Sequence, residues 1–151
     1  MDRGEQLISA LWDMMNKRRA LEHQALKHLS PDLNPSEVRC IDYVGAHTNV
    51  NATRLAEAFY MTTGAASKLT KKLLSKGLIS RFQKLENRKE VYFRLTPEGE
   101  TIFKAHAALQ EEFAARDEAV FHQLTEEDYE TILSFARNYS AHLEKAGRRL
   151  R

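Results

Sequence analysis

The chain has 151 residues, 42% of them apolar and 29% charged, with a formal net charge of +2. That suits one ordered domain with its own core, and it excludes a disordered or low-complexity chain. No apolar run reaches the ~20 residues of a bilayer crossing, and the N-terminal stretch lacks the pattern of a secretory signal. The single cysteine, Cys40, excludes an internal disulfide framework, so a cytoplasmic protein is expected.

Residues 5–29 read as a long first helix. Leu7, Ile8, Leu11, Trp12 and Met15 form an apolar stripe that Leu21, Ala25, Leu26 and Leu29 continue, with Met14 widening it. One neighbouring helix would not cover so long a stripe, and a second copy of the chain is its natural outlet. Ser30 to Leu33 is a loop. Asn34-Pro35-Ser36-Glu37 then opens a second helix, with Asn34 as N-cap, Pro35 in the first turn and Glu37 closing a capping box. Val38, Ile41 and Val44 face inward as far as Gly45.

Asn51 to Phe59 predicts a short third helix with Leu55, Ala56 and Phe59 on one side, and Tyr60-Met61 a tight turn. Thr62 caps a fourth helix that runs to about Lys76 and stops at Gly77, a residue suited to a left-handed C-cap. Ala66, Leu69, Leu73 and Leu74 form its inner face. Two strand-like runs follow, Ile79 to Gln83 and Glu90 to Leu95, joined by a polar tip over residues 84–89. Val50 is expected to add a short third strand. Helix, turn, helix and hairpin make a winged helix-turn-helix. Thr96-Pro97-Glu98-Gly99 restarts helix to about Phe121, with Ile102, His106, Leu109, Phe113 and Val120 as its stripe. Thr125 caps a sixth helix carrying Tyr129, Ile132, Leu133, Ala136, Tyr139 and Leu143 to near Gly147, and Arg148 to Arg151 is expected as a frayed basic tail. The fold class is therefore mainly α with a small β-hairpin wing. A single domain over 1–151 is expected, with a winged core at about 35–96 between helices at about 5–29 and 97–146 that serve dimerisation.

Charge is partitioned along this order. Between Met61 and Leu95 stand Lys68, Lys71, Lys72, Lys76, Arg81, Lys84, Arg88, Lys89 and Arg94 against Glu86 and Glu90, a local charge of about +7. From Pro97 to Gly147 eleven acids oppose four bases. A basic face on a helix-turn-helix is the electrostatic footprint of a phosphate backbone, and the acidic remainder keeps the rest of the surface off it.

Laid out this way, the chain resembles the MarR (multiple antibiotic resistance regulator) family of bacterial transcription factors over nearly its full length. The residues that carry the resemblance are Leu55-Ala56-Glu57, Thr62, Ser67-Lys68, Leu73, Lys76-Gly77-Leu78-Ile79, Asn87-Arg88 and Leu95-Thr96-Pro97-Glu98-Gly99. The resemblance implies a homodimeric regulator of transcription, a repressor on a pseudo-palindromic double-stranded DNA operator, released by a small-molecule effector. Its two recognition helices would enter major grooves roughly 34 Å apart. Carried over by position, Thr62, Thr63, Gly64, Ala65, Ser67 and Lys68 would face base edges or adjacent phosphates. Lys71, Lys72, Lys84 and Lys89 would meet the backbone, and Arg88 would enter the minor groove. Two departures stand out: Tyr60 replaces the small turn residue, and Asn87 replaces an aspartate before the wing arginine.

Where the dimerisation helices meet the winged module, the residues expected to line an effector pocket are Trp12, Met15, Tyr43, His47 and His106, which plain packing would explain equally well. Cys40, among Val38, Ile41 and Val44, is expected to be buried and structural rather than redox-active. No two of the six histidines have helical metal-site spacing, so neither a metal nor a cofactor is expected. Asp42 with Glu57, or His106 with Glu111, forms no recognisable acid–base arrangement, and no Gly-rich phosphate loop exists, so no enzyme is expected. Two rival functions are a winged helix turned to protein–protein contact and an architectural DNA binder without sequence preference. The basic recognition helix and wing favour the DNA readings.

Overall fold

The computed structural model describes residues 2–150. In chain order the elements are α1 (Arg3–Leu29), α2 (Pro35–Ala46), α3 (Ala52–Ala58), α4 (Thr63–Ser75), β1 (Ile79–Lys84), β2 (Asn87–Leu95), α5 (Pro97–Phe121) and α6 (Glu126–Arg149). This is the mainly α, winged helix-turn-helix architecture expected of the sequence. The chain divides into two compact units, residues 1–109 and 110–151, with α5 running through the division.

Local chemistry sets the helix ends. Asn34 accepts from the Glu37 amide at 2.9 Å, and Glu37 accepts in return from the Asn34 amide at 3.3 Å, the expected capping box. Asp2 and Glu5 form the same device at the head of α1, which therefore starts two residues before the expected position 5. α6 also runs longer than expected, through Arg148 and Arg149. These two cations sit in its last turn, where the helix dipole favours them, so they are helical rather than a frayed tail. Arg151 of that tail lies outside the described residues.

The core of the first unit is made mainly by the three helices of the winged module and its hairpin, with Leu26 of α1 and the loop residues Leu33 and Leu78 added to it. Val38, Cys40, Ile41 and Val44 come from α2, Leu55 and Ala56 from α3, and Ala66, Leu69 and Leu73 from α4. Ile79 and Phe93 close it from the wing, with Val50 from the α2–α3 loop. The expected third strand is a single bridge, in which Phe93 donates its amide to the Val50 carbonyl at 2.8 Å. Gly99 fixes how α5 leaves the wing. A Cβ there would stand 2.0 Å from the Leu78 carbonyl oxygen, while Thr96 donates its amide to that same oxygen and its hydroxyl to the Gly77 carbonyl. The Leu-Thr-Pro-Glu-Gly run is thus a close-approach joint between hairpin and helix.

The second unit is the end of α5, a turn, and α6. Thr125 and Asp128 form a capping box at the start of α6, and the Tyr129 hydroxyl donates to the Phe121 carbonyl at 3.1 Å. Those cap bonds, first the backbone amide and then the hydroxyl of Thr125, hold the Asp128 carboxyl below its ordinary value. No residue of α6 is buried: Ile132, Leu133, Phe135, Tyr139 and Leu143 all lie open.

Candidate nucleic-acid interface

Helix α4 separates its inner and outer sides cleanly. Ala66, Leu69, Thr70 and Leu73 are buried, and Leu74 is half-buried beside them. At 3.6 residues per turn the opposite arc falls on Gly64, Lys68 and Lys71, with Lys72 and Ala65 along one flank and Thr63 and Ser67 along the other. All of these are exposed except Ser67, which is half-buried. Thr62 caps the helix, accepting from the Ala65 amide at 3.1 Å, so the first turn projects free of side-chain bulk.

The helix-turn-helix turn departs from the small-residue norm. Tyr60 adopts φ 53°, the left-handed region, and Met61 donates its amide to the Ala56 carbonyl at 3.0 Å while Tyr60 donates to Glu57. This is a Schellman termination of α3 with tyrosine in the position that glycine usually fills.

The wing is tighter than the sequence suggests. Pairing runs to Lys84↔Asn87, leaving only Leu85 and Glu86 in the turn, so Arg88 and Lys89 lie on β2 rather than in a six-residue tip. Gln83 interrupts the register and donates its side-chain amide to the Arg88 carbonyl at 2.8 Å. Asn87 accepts from the Lys89 amide at 3.2 Å, so it orders the backbone around Arg88 rather than the guanidinium. Behind the tip, the Lys84 ammonium lies 5.2 Å from the Tyr92 ring centre and the Arg94 guanidinium 4.2 Å from that of Phe82, which keeps both cations along the strand pair. Glu90, one of the two acids in the basic segment, accepts from the Asn51 side chain at 3.2 Å. β2 is thereby tied to the cap of α3.

Among the described residues, Lys68, Lys71, Lys72, Arg88 and Lys89 enter no ion pair, so their charge faces solvent uncancelled. Lys76 is different. Its ammonium donates to the Glu37 carboxylate at 2.7 Å and to the Asp32 carbonyl at 2.8 Å. It belongs to an internal joint between α4 and α2, and it leaves the basic segment about one charge poorer at its surface than the sequence count. Local spacing could not reveal this pair, because 39 residues separate its members.

The residues expected around an effector fall in different places. The Tyr43 and His47 rings stack at 4.1 Å, with Phe59 edge-on to Tyr43 and the Arg39 guanidinium over Phe59. His106 is buried and its Nδ1 meets the Asp42 carboxylate at 2.5 Å, joining α5 to α2. Trp12, 65% exposed, borders a shallow groove with Ile8 and Ser9 that includes none of the other four, and Met15 is exposed on the same helix. A separate cleft of about 470 Å³ lies among Leu33, Lys76, Leu78 and Ile102. Cys40 is fully buried as expected, and burial pushes its thiol up to about 12.

Residues 33–91, the winged core, match the MarR family. The chain is also 31% identical over 127 residues to the uncharacterized HTH-type transcriptional regulator YhjH of Bacillus subtilis (strain 168), covering 84% of this chain and 70% of that protein. The chain belongs to the MarR family. It is 29% identical over 115 residues to the HTH-type transcriptional regulator PchR of the same organism, covering 74% of this chain and 66% of PchR. Among solved structures, Streptococcus pneumoniae FabT in complex with DNA superposes with a TM-score of 0.79 at 22% identity, over 94% of this chain and 98% of FabT. The S. aureus MepR–DNA complex gives 0.75 at 22% identity, over 89% and 95%. At these identities the superpositions establish the fold. This MarR-family chain is a transcriptional regulator, and its family and relatives are not enzymes.

Proposed function

We propose that this MarR-family regulator is a sequence-specific, double-stranded-DNA-binding repressor that acts as a homodimer on a pseudo-palindromic operator. The observation that carries the reading is the outer arc of α4. Lys68, Lys71 and Lys72 stand exposed and unpaired behind a cap-led first turn, with Arg88 and Lys89 unpaired at the start of β2, next to the wing turn. Uncancelled lysines on a recognition helix neutralise phosphates and release counterions, which supplies affinity and steering.

Specificity comes from shorter contacts. Thr63, Ser67 and Lys68 offer hydrogen bonds to base edges, and the Ala65 methyl can meet a thymine methyl. Thr62 and Gly64 place the helix start against phosphate, Lys71, Lys72, Lys84 and Lys89 hold the backbone, and Arg88 reads minor-groove shape. Homodimerisation is supported by the open apolar side chains on both units: Leu7, Ile8, Trp12 and Met15 on α1, and Ile132, Leu133, Phe135 and Leu143 on α6. Side chains of this size in such number seek a partner surface. Helices at about 5–29 and 97–146 are the proposed dimerisation elements around the winged core at about 35–96. A small-molecule effector that releases DNA is part of the same reading, with Trp12, Met15, Tyr43, His47 and His106 as its proposed surroundings.

Arg88→Ala tests the wing. The variant is expected to keep the wild-type sedimentation coefficient and thermal midpoint, because Arg88 contributes nothing to the core, yet to bind operator DNA at least about fivefold more weakly. Unchanged affinity would remove the wing from the interface.

A further inference from the structure

Tyr60 combines two properties that seldom occur together. It occupies the left-handed C′ position of a Schellman turn, where a Cβ is disfavoured and glycine is relaxed. Its side chain is also 88% exposed and meets no ring, cation or side-chain hydrogen-bond partner among the described residues. The turn's two backbone hydrogen bonds, from the Tyr60 and Met61 amides, would form equally well with glycine, so among the described residues the tyrosine side chain adds nothing that offsets the strain. A strained residue whose side chain returns nothing to the fold is a candidate for contact outside it.

We propose that Tyr60 is a DNA-backbone contact, its phenolic hydroxyl donating to a phosphate oxygen on the wall of the major groove that α4 enters. The proposal rests on the DNA-binding reading above and adds a neutral contact to its cationic ones. Tyr60 stands two residues before the Thr62 cap, at the entry to the helix whose first residues face base edges in helix-turn-helix proteins. The first turn of α4 carries only Thr63, Gly64, Ala65 and Ala66, so its small side chains let the helix start approach closely and bring the preceding turn toward the groove wall. The exposed charges on α4 are Lys68, Lys71 and Lys72, with no acid between Met61 and Ser75, and they outnumber the one exposed acid on the other side of the turn, Glu57 of α3. That sign favours a polyanion over an acidic or apolar protein surface as the occupant. A phenol has a donor for phosphate and a flat ring to lie along the sugar, with fewer rotors to order than a lysine.

The test uses full-length wild type, Y60F and Y60G. Each is titrated by fluorescence anisotropy against a labelled duplex from immediately upstream of its own coding sequence, at several salt concentrations. Both variants are expected to bind about tenfold more weakly, because each removes the hydroxyl. The slope of log affinity against log salt should stay at the wild-type value, since a neutral donor releases no counterion. Y60G should also unfold at a higher temperature, because glycine relaxes the turn. Y60G binding as tightly as wild type would overturn the proposal, as would weakening in Y60G with none in Y60F, or a shallower salt slope in either. A wild-type protein that binds no DNA at all would overturn the reading beneath it, an outcome separate from any difference among the variants.

Discussion

Replacing Lys76 with methionine separates the structural from the nucleic-acid-facing lysines. The Glu37 side chain is only 4% exposed, and its partners are the Lys76 ammonium at 2.7 Å and the Asn34 amide at 3.3 Å. Without the cation, a buried charge is left with one long hydrogen bond. Breaking a buried pair from one side costs about 3–5 kcal/mol. The Lys76 side chain is 35% exposed, so water reaches its end of the pair and the lower figure, about 3 kcal/mol, applies. For a chain of this length that lowers the thermal midpoint by roughly 6–12 °C. Scanning calorimetry measures the shift directly. The double variant Lys76→Met, Glu37→Met should recover most of it, because two apolar side chains replace the orphaned carboxylate. DNA binding supplies the second readout. With its charge already matched by Glu37, Lys76 releases no counterion, so the salt slope of Lys76→Met should equal that of wild type. A midpoint within about 2 °C of wild type, or a slope shallower by about 0.9, would refute the reasoning.

The exposed lysines should behave oppositely. Lys68→Ala with Lys71→Ala should leave the midpoint near wild type but flatten the salt slope by about 1.8 for each protomer engaged, measured by anisotropy titration; an unaltered slope would take both lysines off the phosphates. Cys40, with its thiol raised to about 12, carries roughly one thiolate in ten thousand molecules at pH 8. Native protein should therefore resist iodoacetamide at that pH and react on unfolding in guanidinium, followed by mass spectrometry; rapid native alkylation would show the site opens. Gly99→Ala must push its new methyl away from the Leu78 carbonyl, 2.0 Å from the ideal position, and should cost about 3 kcal/mol or more in a denaturant titration. A loss under about 1 kcal/mol would mean that the wing–α5 joint is pliable.

The elements readable from sequence are those whose signals are local. Asn34-Pro35-Ser36-Glu37, Thr62, Thr125 and Gly77 each mark a boundary within a few residues, because the cap closes on its own first turn or last carbonyls. The inner face of α4 is likewise legible, since Ala66, Leu69 and Leu73 recur at helical spacing and all are buried. What escaped is mostly non-local. Lys76 reads as one more cation of a basic segment until Glu37 is brought beside it, and His106 acquires a partner only when α2 delivers Asp42. The wing tip is shorter than its polar run suggests: residues 84–89 resemble a loop, although four of the six belong to strands and Lys84 pairs with Asn87 across the turn. Tyr60 marked an unusual turn in the sequence, but only backbone geometry shows it to be left-handed. Of the site residues, the outer arc of α4 was legible from periodicity, whereas the surroundings of Trp12 and Met15 depend on how open apolar helices are covered.

Sequence-specific DNA recognition is tested most directly by one competition. The purified protein is titrated against the duplex upstream of its own coding sequence, at about 150 mM salt, with an unrelated duplex of equal length as competitor. A preference of about a thousandfold or more for the upstream duplex is predicted, in line with specific helix-turn-helix regulators at physiological salt. Equal, weak, steeply salt-dependent binding to both duplexes would contradict it, leaving the basic face of α4 as a non-specific phosphate surface.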